Sequence, residues 1–202
     1  GFIIVWSDGR QGELWQSDLY AQRVRPDGSP AWAAEGVSVC SNPSTQYDAT
    51  LSPDGAGGVL LAWRDFRNST PQVGFSTWYA QRLNAAGTAM WATDGVRLHT
   101  NYGGYYAAVH SDGAGGALLA WYDAPDDGPL SCRVQHLNAA GVEQWAPNGV
   151  ALANPSGYLL TFDAISDDAG GLIVAWSDSL PGQHRTWVQR VNSAGVSQWT
   201  AG

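Results

Sequence analysis

Apolar and polar positions along this chain fall into one short pattern that returns four times. Two glycines precede a run of three apolar residues, then Ala-Trp, one variable residue and Asp. The copies read GFIIVWSD at Gly1–Asp8, cut short at its start and with Val before the Trp, then GGVLLAWRD at Gly57–Asp65, GGALLAWYD at Gly115–Asp123 and GGLIVAWSD at Gly170–Asp178. A run this apolar, with no polar alternation, predicts a short strand covered on both faces. The copies lie about 57 residues apart, and self-similarity at such a period marks propellers, solenoids and arrays.

The remainder of each unit keeps the same step. A second segment reads YAQRV at Tyr20–Val24, YAQRL at Tyr79–Leu83, RVQHL at Arg133–Leu137 and WVQRV at Trp187–Val191. Its polar and apolar residues alternate, which predicts a strand less deeply buried than the first. A Gly-containing turn ending in Trp follows, and in three copies a short Gly-Val run comes next. The cycle restarts with a strand such as Ala49–Ser52 that ends in Asp-Gly-Ala-Gly-Gly, a hairpin signal because glycine accepts positive φ. No stretch shows a 3.6-residue period with caps, so helices are expected to be few. Fourteen strand candidates result. The first unit lacks its opening strand, and the last stops at Trp199–Gly202 before its closing one.

Four-stranded meanders repeated in this way follow the plan of β-propeller blades. The order of strand, Asp-Gly hairpin, apolar strand, Arg-Leu-Asn-Ala-Ala-Gly strand and Gly-Val strand resembles the propeller-type tandem repeats of bacterial secreted and cell-surface proteins. The resemblance implies an all-β chain, a single propeller-type domain over 1–202 with repeats near 1–47, 48–105, 106–161 and 162–202. It is compatible with a four-bladed ring whose terminal blades are incomplete, with part of a larger propeller or array, or with a β solenoid. The Gly-His partner of the WD40 signature is missing. Unpaired edges at Gly1–Asp8 and Thr186–Asn192 would invite strands from flanking sequence or a neighbouring copy.

Eight tryptophans recur with the repeat. Trp6, Trp63, Trp121 and Trp176 end the apolar strand, and Trp32, Trp91, Trp145 and Trp199 follow the turn after the next. Their expected role is structural, filling the seams between sheets packed face on face. Asp8, Asp65, Asp123 and Asp178 are expected to accept backbone N–H groups in the loops that follow. Cys40 and Cys132 occupy non-equivalent places and read as two separate small core residues.

The formal net charge is −8 and Lys and Arg are few, which disfavours nucleic acid and anionic membrane surfaces. No apolar run approaches the roughly 20 residues of a membrane helix. The chain opens inside a strand without Met or a leader, so it reads as a piece of a longer precursor. Composition and resemblance together place it outside the cell or on its surface.

Turns of the DGAGG type and the NAAG turns are near-identical between repeats and share one end of the sheets. The loops at the other end vary, and variable loops on a repeated scaffold are the expected carriers of recognition. Candidate ligand-binding residues there are Arg10, Trp15, Arg67, Tyr102, Tyr105, Tyr158, His184 and Arg185, with a glycan, a protein or further copies of the chain as partner. His99, His110, His136 and His184 occupy different phases and show no metal-ligand spacing. Asp126, Asp127, Asp167 and Asp168 could offer loop carboxylates to Ca²⁺, although no Asp-x-Asp-x-Asp-Gly loop exists. No cofactor is expected. Asn68-Ser69-Thr70 is a glycosylation sequon only in a glycosylating host. No nucleophile elbow, P-loop or dinucleotide fingerprint appears. The leading expectation is a non-enzymatic binding, adhesion or structural module. The alternatives are a lectin-like carbohydrate binder and a glycoside hydrolase or lyase, whose paired carboxylates could come from different repeats.

Overall fold

The computed structural model describes residues 1–10, 16–69, 76–99, 104–123, 131–153 and 158–199, with backbone only at 153, 158, 159 and 180. Within them the chain is all-β, with fourteen strands in four antiparallel sheets. The first sheet holds β1 (Phe2–Asp8), β2 (Asp18–Val24) and β3 (Val37–Cys40). The second holds β4 (Gln46–Pro53), β5 (Val59–Asp65), β6 (Thr77–Leu83) and β7 (Val96–Arg97). The third holds β8 (Ala107–Ser111), β9 (Ala117–Asp123), β10 (Ser131–Leu137) and β11 (Val150–Ala153). The fourth holds β12 (Tyr158–Ser166), β13 (Leu172–Leu180) and β14 (Gln183–Val191). Each sheet is a meander of neighbours in sequence, so every turn is local.

The apolar strands β5 and β9 are buried on both faces because each lies between two seams. Leu61 and Trp63 point toward the first sheet and join Leu19, Ala21 and Val39. Leu60 and Ala62, on the opposite face of β5, join Leu119 and Trp121 of the third sheet. Leu118 and Ala120, on the opposite face of β9, join Leu172, Val174 and Trp176 of the fourth. The two faces of one strand thus serve two different cores. Trp63 and Trp121 are fully buried, Trp176 nearly so, and Trp6 only half-buried.

The expectation of a more exposed third strand is corrected for β6 and β10, while β14 is the more exposed strand expected. Strands β6 and β10 are as buried as β5, apart from one or two side chains each. Their alternating polar residues go inside rather than out, because a glutamine finds every bond it needs there. Gln81 Nε2 donates to Ala92 O at 2.8 Å, and its Oε1 accepts the N–H groups of Arg82 and Trp91 at 3.0 and 2.9 Å. Gln22 and Gln135 make the same pattern in their repeats, and Gln189 accepts the N–H groups of Arg190 and Trp199 likewise but donates to Trp199 O. A buried amide so placed fixes the tryptophan that follows the turn.

That tryptophan stitches one repeat to the next. The indole N–H groups of Trp32, Trp91 and Trp145 donate to Ala85 O, Ala139 O and Ser193 O at 3.1, 3.2 and 3.0 Å. Each ring lies against a glycine of the next turn. A Cβ built on Gly87, Gly141 or Gly195 would come within 2.8, 2.7 and 2.7 Å of Trp32, Trp91 and Trp145 respectively. These glycines also have φ near +80°, a region L side chains rarely adopt. Trp91 and Trp145 are 8% exposed, Trp32 is half-buried, and Trp199 stands 45% exposed.

Candidate functional site

At the variable end of each sheet the Trp-x-Asp pattern builds a brace. Asp65 is buried, and its Oδ2 accepts the Trp63 indole at 3.1 Å and the Arg67 guanidinium at 2.5 Å. Its Oδ1 takes the Arg67 backbone N–H at 2.9 Å, the loop bond expected of this aspartate. Arg67 lies 3.9 Å over the Tyr79 ring and donates to Asp94 O at 2.8 Å. Asp8, Trp6, Arg10 and Tyr20 repeat this arrangement in the first sheet. The Arg10 guanidinium, with the Trp6 indole, holds the Asp8 carboxyl well below its ordinary pKa. In the third sheet Arg133, from β10, meets Asp123 at 3.0 Å. In the fourth, Arg185 holds Asp178 through two bonds of 3.1 and 2.8 Å. The arginine follows the aspartate by two residues in the first two sheets and comes from the next strand in the other two, yet the ion pair is kept.

Three of the candidate ligand residues, Arg10, Arg67 and Arg185, are therefore engaged in these braces. His184 and Arg185 sit on β14 rather than in a long loop, because Pro181 and Gly182 close β13 to β14 in a two-residue turn. His184 is exposed beside Ser179 in the ladder. Trp15 and Tyr102 lie outside the described residues, as do Asp126 and Asp127. Tyr158 opens β12. Asp167 is fully occupied: Oδ1 accepts the N–H groups of Ala169 and Gly171, and Oδ2 pairs with Arg190 at 2.9 Å. Cys40 and Cys132 are buried and unbridged, and burial pushes each thiol up to about 12.

Tyr105 alone among the candidates stands in an open aromatic cluster. Its ring is 58% exposed, and the adjacent Tyr106 is exposed as well. Arg64, from β5, lies 4.8 Å from the Tyr47 ring and 5.6 Å from that of Tyr105. Tyr47 stacks on Phe66 with ring centres 5.3 Å apart. Arg64 is oriented by Ser76 Oγ, which accepts from Nε at 2.8 Å, and by Asp48, paired at 3.2 Å.

Asp48 owes its position to a break in the β4–β5 ladder. The register shifts between Tyr47 and Thr50, and Asp48 itself has φ of +53°, rare for a residue with a Cβ. This bulge leaves the carboxylate largely exposed while facing Arg64. Sequence reading missed Tyr47, Asp48, Arg64 and Phe66. The Tyr-Asp pair at the head of β4 and the Arg inside the Trp-Arg-Asp motif were available signals, but only the pairing of β4 with β5 joins them.

The cluster offers two flat rings, a fixed guanidinium and an exposed carboxylate on one open surface. Such a surface can cover the apolar side of a planar or puckered ring while bonding polar groups at its rim.

No protein-family model matches the chain, and no curated protein matches it. Among solved structures, the chain is similar to that of an endo-arabinase from Bacteroides thetaiotaomicron VPI-5482, at 15% identity and a TM-score of 0.46. The likeness covers 92% of this chain and 69% of the other. The expectation that this chain is not an enzyme is corrected on that finding and is not carried forward. At that TM-score the likeness assigns no activity to this chain.

Proposed function

We propose that this chain binds carbohydrate at the Tyr47–Arg64–Tyr105 cluster, as a propeller-type repeat domain working outside the cell or on its surface. The observation that carries the reading is the exposed Tyr105 ring beside a guanidinium and a carboxylate held in place by a strand bulge. Soluble chains seldom leave adjoining large aromatics in water without a partner. A sugar has an apolar C–H face and a rim of hydroxyls, which matches rings flanked by Arg64 and Asp48. The long side chain of Arg64 is already fixed by Ser76 and Asp48, so binding would order little more.

A glycan array on the purified chain, followed by Tyr105→Ala and Arg64→Ala, tests this. Each change is expected to weaken binding by about tenfold, roughly 1.4 kcal/mol. Circular dichroism checks that each variant keeps its sheets. Release of reducing ends in the same samples reads whether bound sugar is also cleaved. Binding unaltered in both folded variants would remove the cluster as the site.

A further inference from the structure

The outer faces of the first and fourth sheets are two halves of the seam that this chain already makes three times. In β5, β9 and β13, the side chains facing the preceding sheet are fully buried: Val59 and Leu61, Ala117 and Leu119, Leu172 and Val174. Their equivalents in β1 are Phe2 and Ile4, which are 60% and 43% exposed. On the fourth sheet the opposite face is open. Val188 is 48% exposed, whereas Ala80 and Val134, at the same repeat position, are buried against the sheet that follows.

The stitching tryptophan shows the same two halves. Gln189 Oε1 accepts the Trp199 N–H at 2.9 Å, as Gln81 and Gln135 accept those of Trp91 and Trp145 at 2.9 and 3.1 Å. Trp199 is thus held by its N–H as the others are, but its ring is 45% exposed, and among the described residues no glycine turn covers it. At the other end Gly28 has φ of +84°, the conformation of Gly87, Gly141 and Gly195, and a Cβ there would meet nothing within 4 Å. The glycine seat is formed and vacant, and the indole is formed and uncovered.

We propose that these surfaces bind each other between molecules: the fourth sheet of one copy docks on the first sheet of a second. Trp199 would lie on Gly28 of the second copy, with its indole N–H donating to Pro26 O, the carbonyl equivalent to Ala85 O. Val188 would meet the Phe2 and Ile4 side. The three internal seams supply the template for the occupant, which must offer this glycine turn and this apolar strand. Such a contact joins unlike faces, so it does not close in a dimer and adds copies head to tail.

Sedimentation velocity on the purified chain tests this, with Trp199→Ala and Gly28→Asn as variants. Asparagine tolerates positive φ, so the second change fills the seat without straining the turn. The native chain is expected to gain mass with concentration, and each variant alone to stay monomeric. Mixed in equal amounts, the variants are expected to form a dimer and stop there. The Trp199→Ala copy keeps its glycine seat and the Gly28→Asn copy keeps its indole, so one sound contact exists per pair. That rescue also shows both variants to be folded. A native chain that stays monomeric at high concentration, variants that associate as the native chain does, or a mixture that stays monomeric would each overturn the proposal.

Discussion

Gln81 shows how one buried amide sets the geometry of a whole turn. Its oxygen serves two backbone N–H groups at once, those of Arg82 and Trp91, and its nitrogen serves Ala92 O. Replacing it by leucine would keep the volume and leave those three backbone groups without a partner. A buried polar group so abandoned costs about 1–3 kcal/mol, and water reaching the turn recovers part of it. Gln81→Leu is therefore expected to destabilise the chain by about 3 kcal/mol. A urea midpoint with unchanged slope measures that loss. A change below about 0.5 kcal/mol would show that the tryptophan holds its place without the amide. The same glutamine explains why β6 and β10 defied their alternating pattern: a polar residue reads as exposed in sequence, yet this one meets a complete set of partners inside.

At the scale of strands and turns, the repeated part was legible and the special part was not. Apolar runs flanked by Gly and Trp sufficed for β5 and β9, because burial on both faces leaves no polar alternation to mislead. The same run in β1 and β13 also forms a strand, but the expected cover on both faces is corrected there, since the first and fourth sheets each have one open face. The DGAGG turns followed from glycine. Their aspartates do more than the turn signal implies. Burial of Asp54 raises its pKa, but the N–H groups of Ala56 and Gly58 and the Arg82 guanidinium outweigh this and leave it below the ordinary value. Asp112 and Asp167 are lowered likewise, against burial, by His136 and Arg190 and by backbone N–H groups. A carboxylate whose pKa is depressed on folding contributes its stability above the unfolded value, about 3.9, and loses it as pH falls through the folded value. Asp54→Asn keeps an acceptor for the turn but drops the charge that faces Arg82. The variant is expected to be less stable than the native chain at pH 7, with the gap narrowing below about pH 4. Denaturant melts at pH 7 and pH 3 read this, and a gap that stays constant would remove the charge from the explanation. The Tyr47–Arg64–Tyr105 cluster, by contrast, depends on a bulge between β4 and β5 and on a residue from the connection into the third sheet. Neither has a periodic signature.

Across the whole molecule, stability is carried at the seams between successive sheets, and each seam closes on a tryptophan lying against a glycine. Gly141→Ala tests one such seam. The added methyl would lie within 2.7 Å of the Trp91 ring, at a backbone φ of +76°. Overpacking costs about 1–3 kcal/mol, and the unfavourable backbone adds about 1 kcal/mol. A loss of about 2–4 kcal/mol is expected on thermal or urea unfolding. An alanine variant as stable as the native chain would mean that the ring and the turn part freely. The equivalent change at Gly28, where a Cβ meets nothing within the chain, isolates the backbone share of that loss when measured on dilute monomer.

The seam also has a direction. The indole is always on the earlier repeat and the glycine always on the later one, in all three internal cases. A repeat duplicated in the gene therefore arrives with one half of the joint on each side. It can slot between existing neighbours without a single new contact having to arise. A chain built this way can lengthen or shorten by whole units while every joint stays the same, leaving the variable ends of the sheets free to diverge.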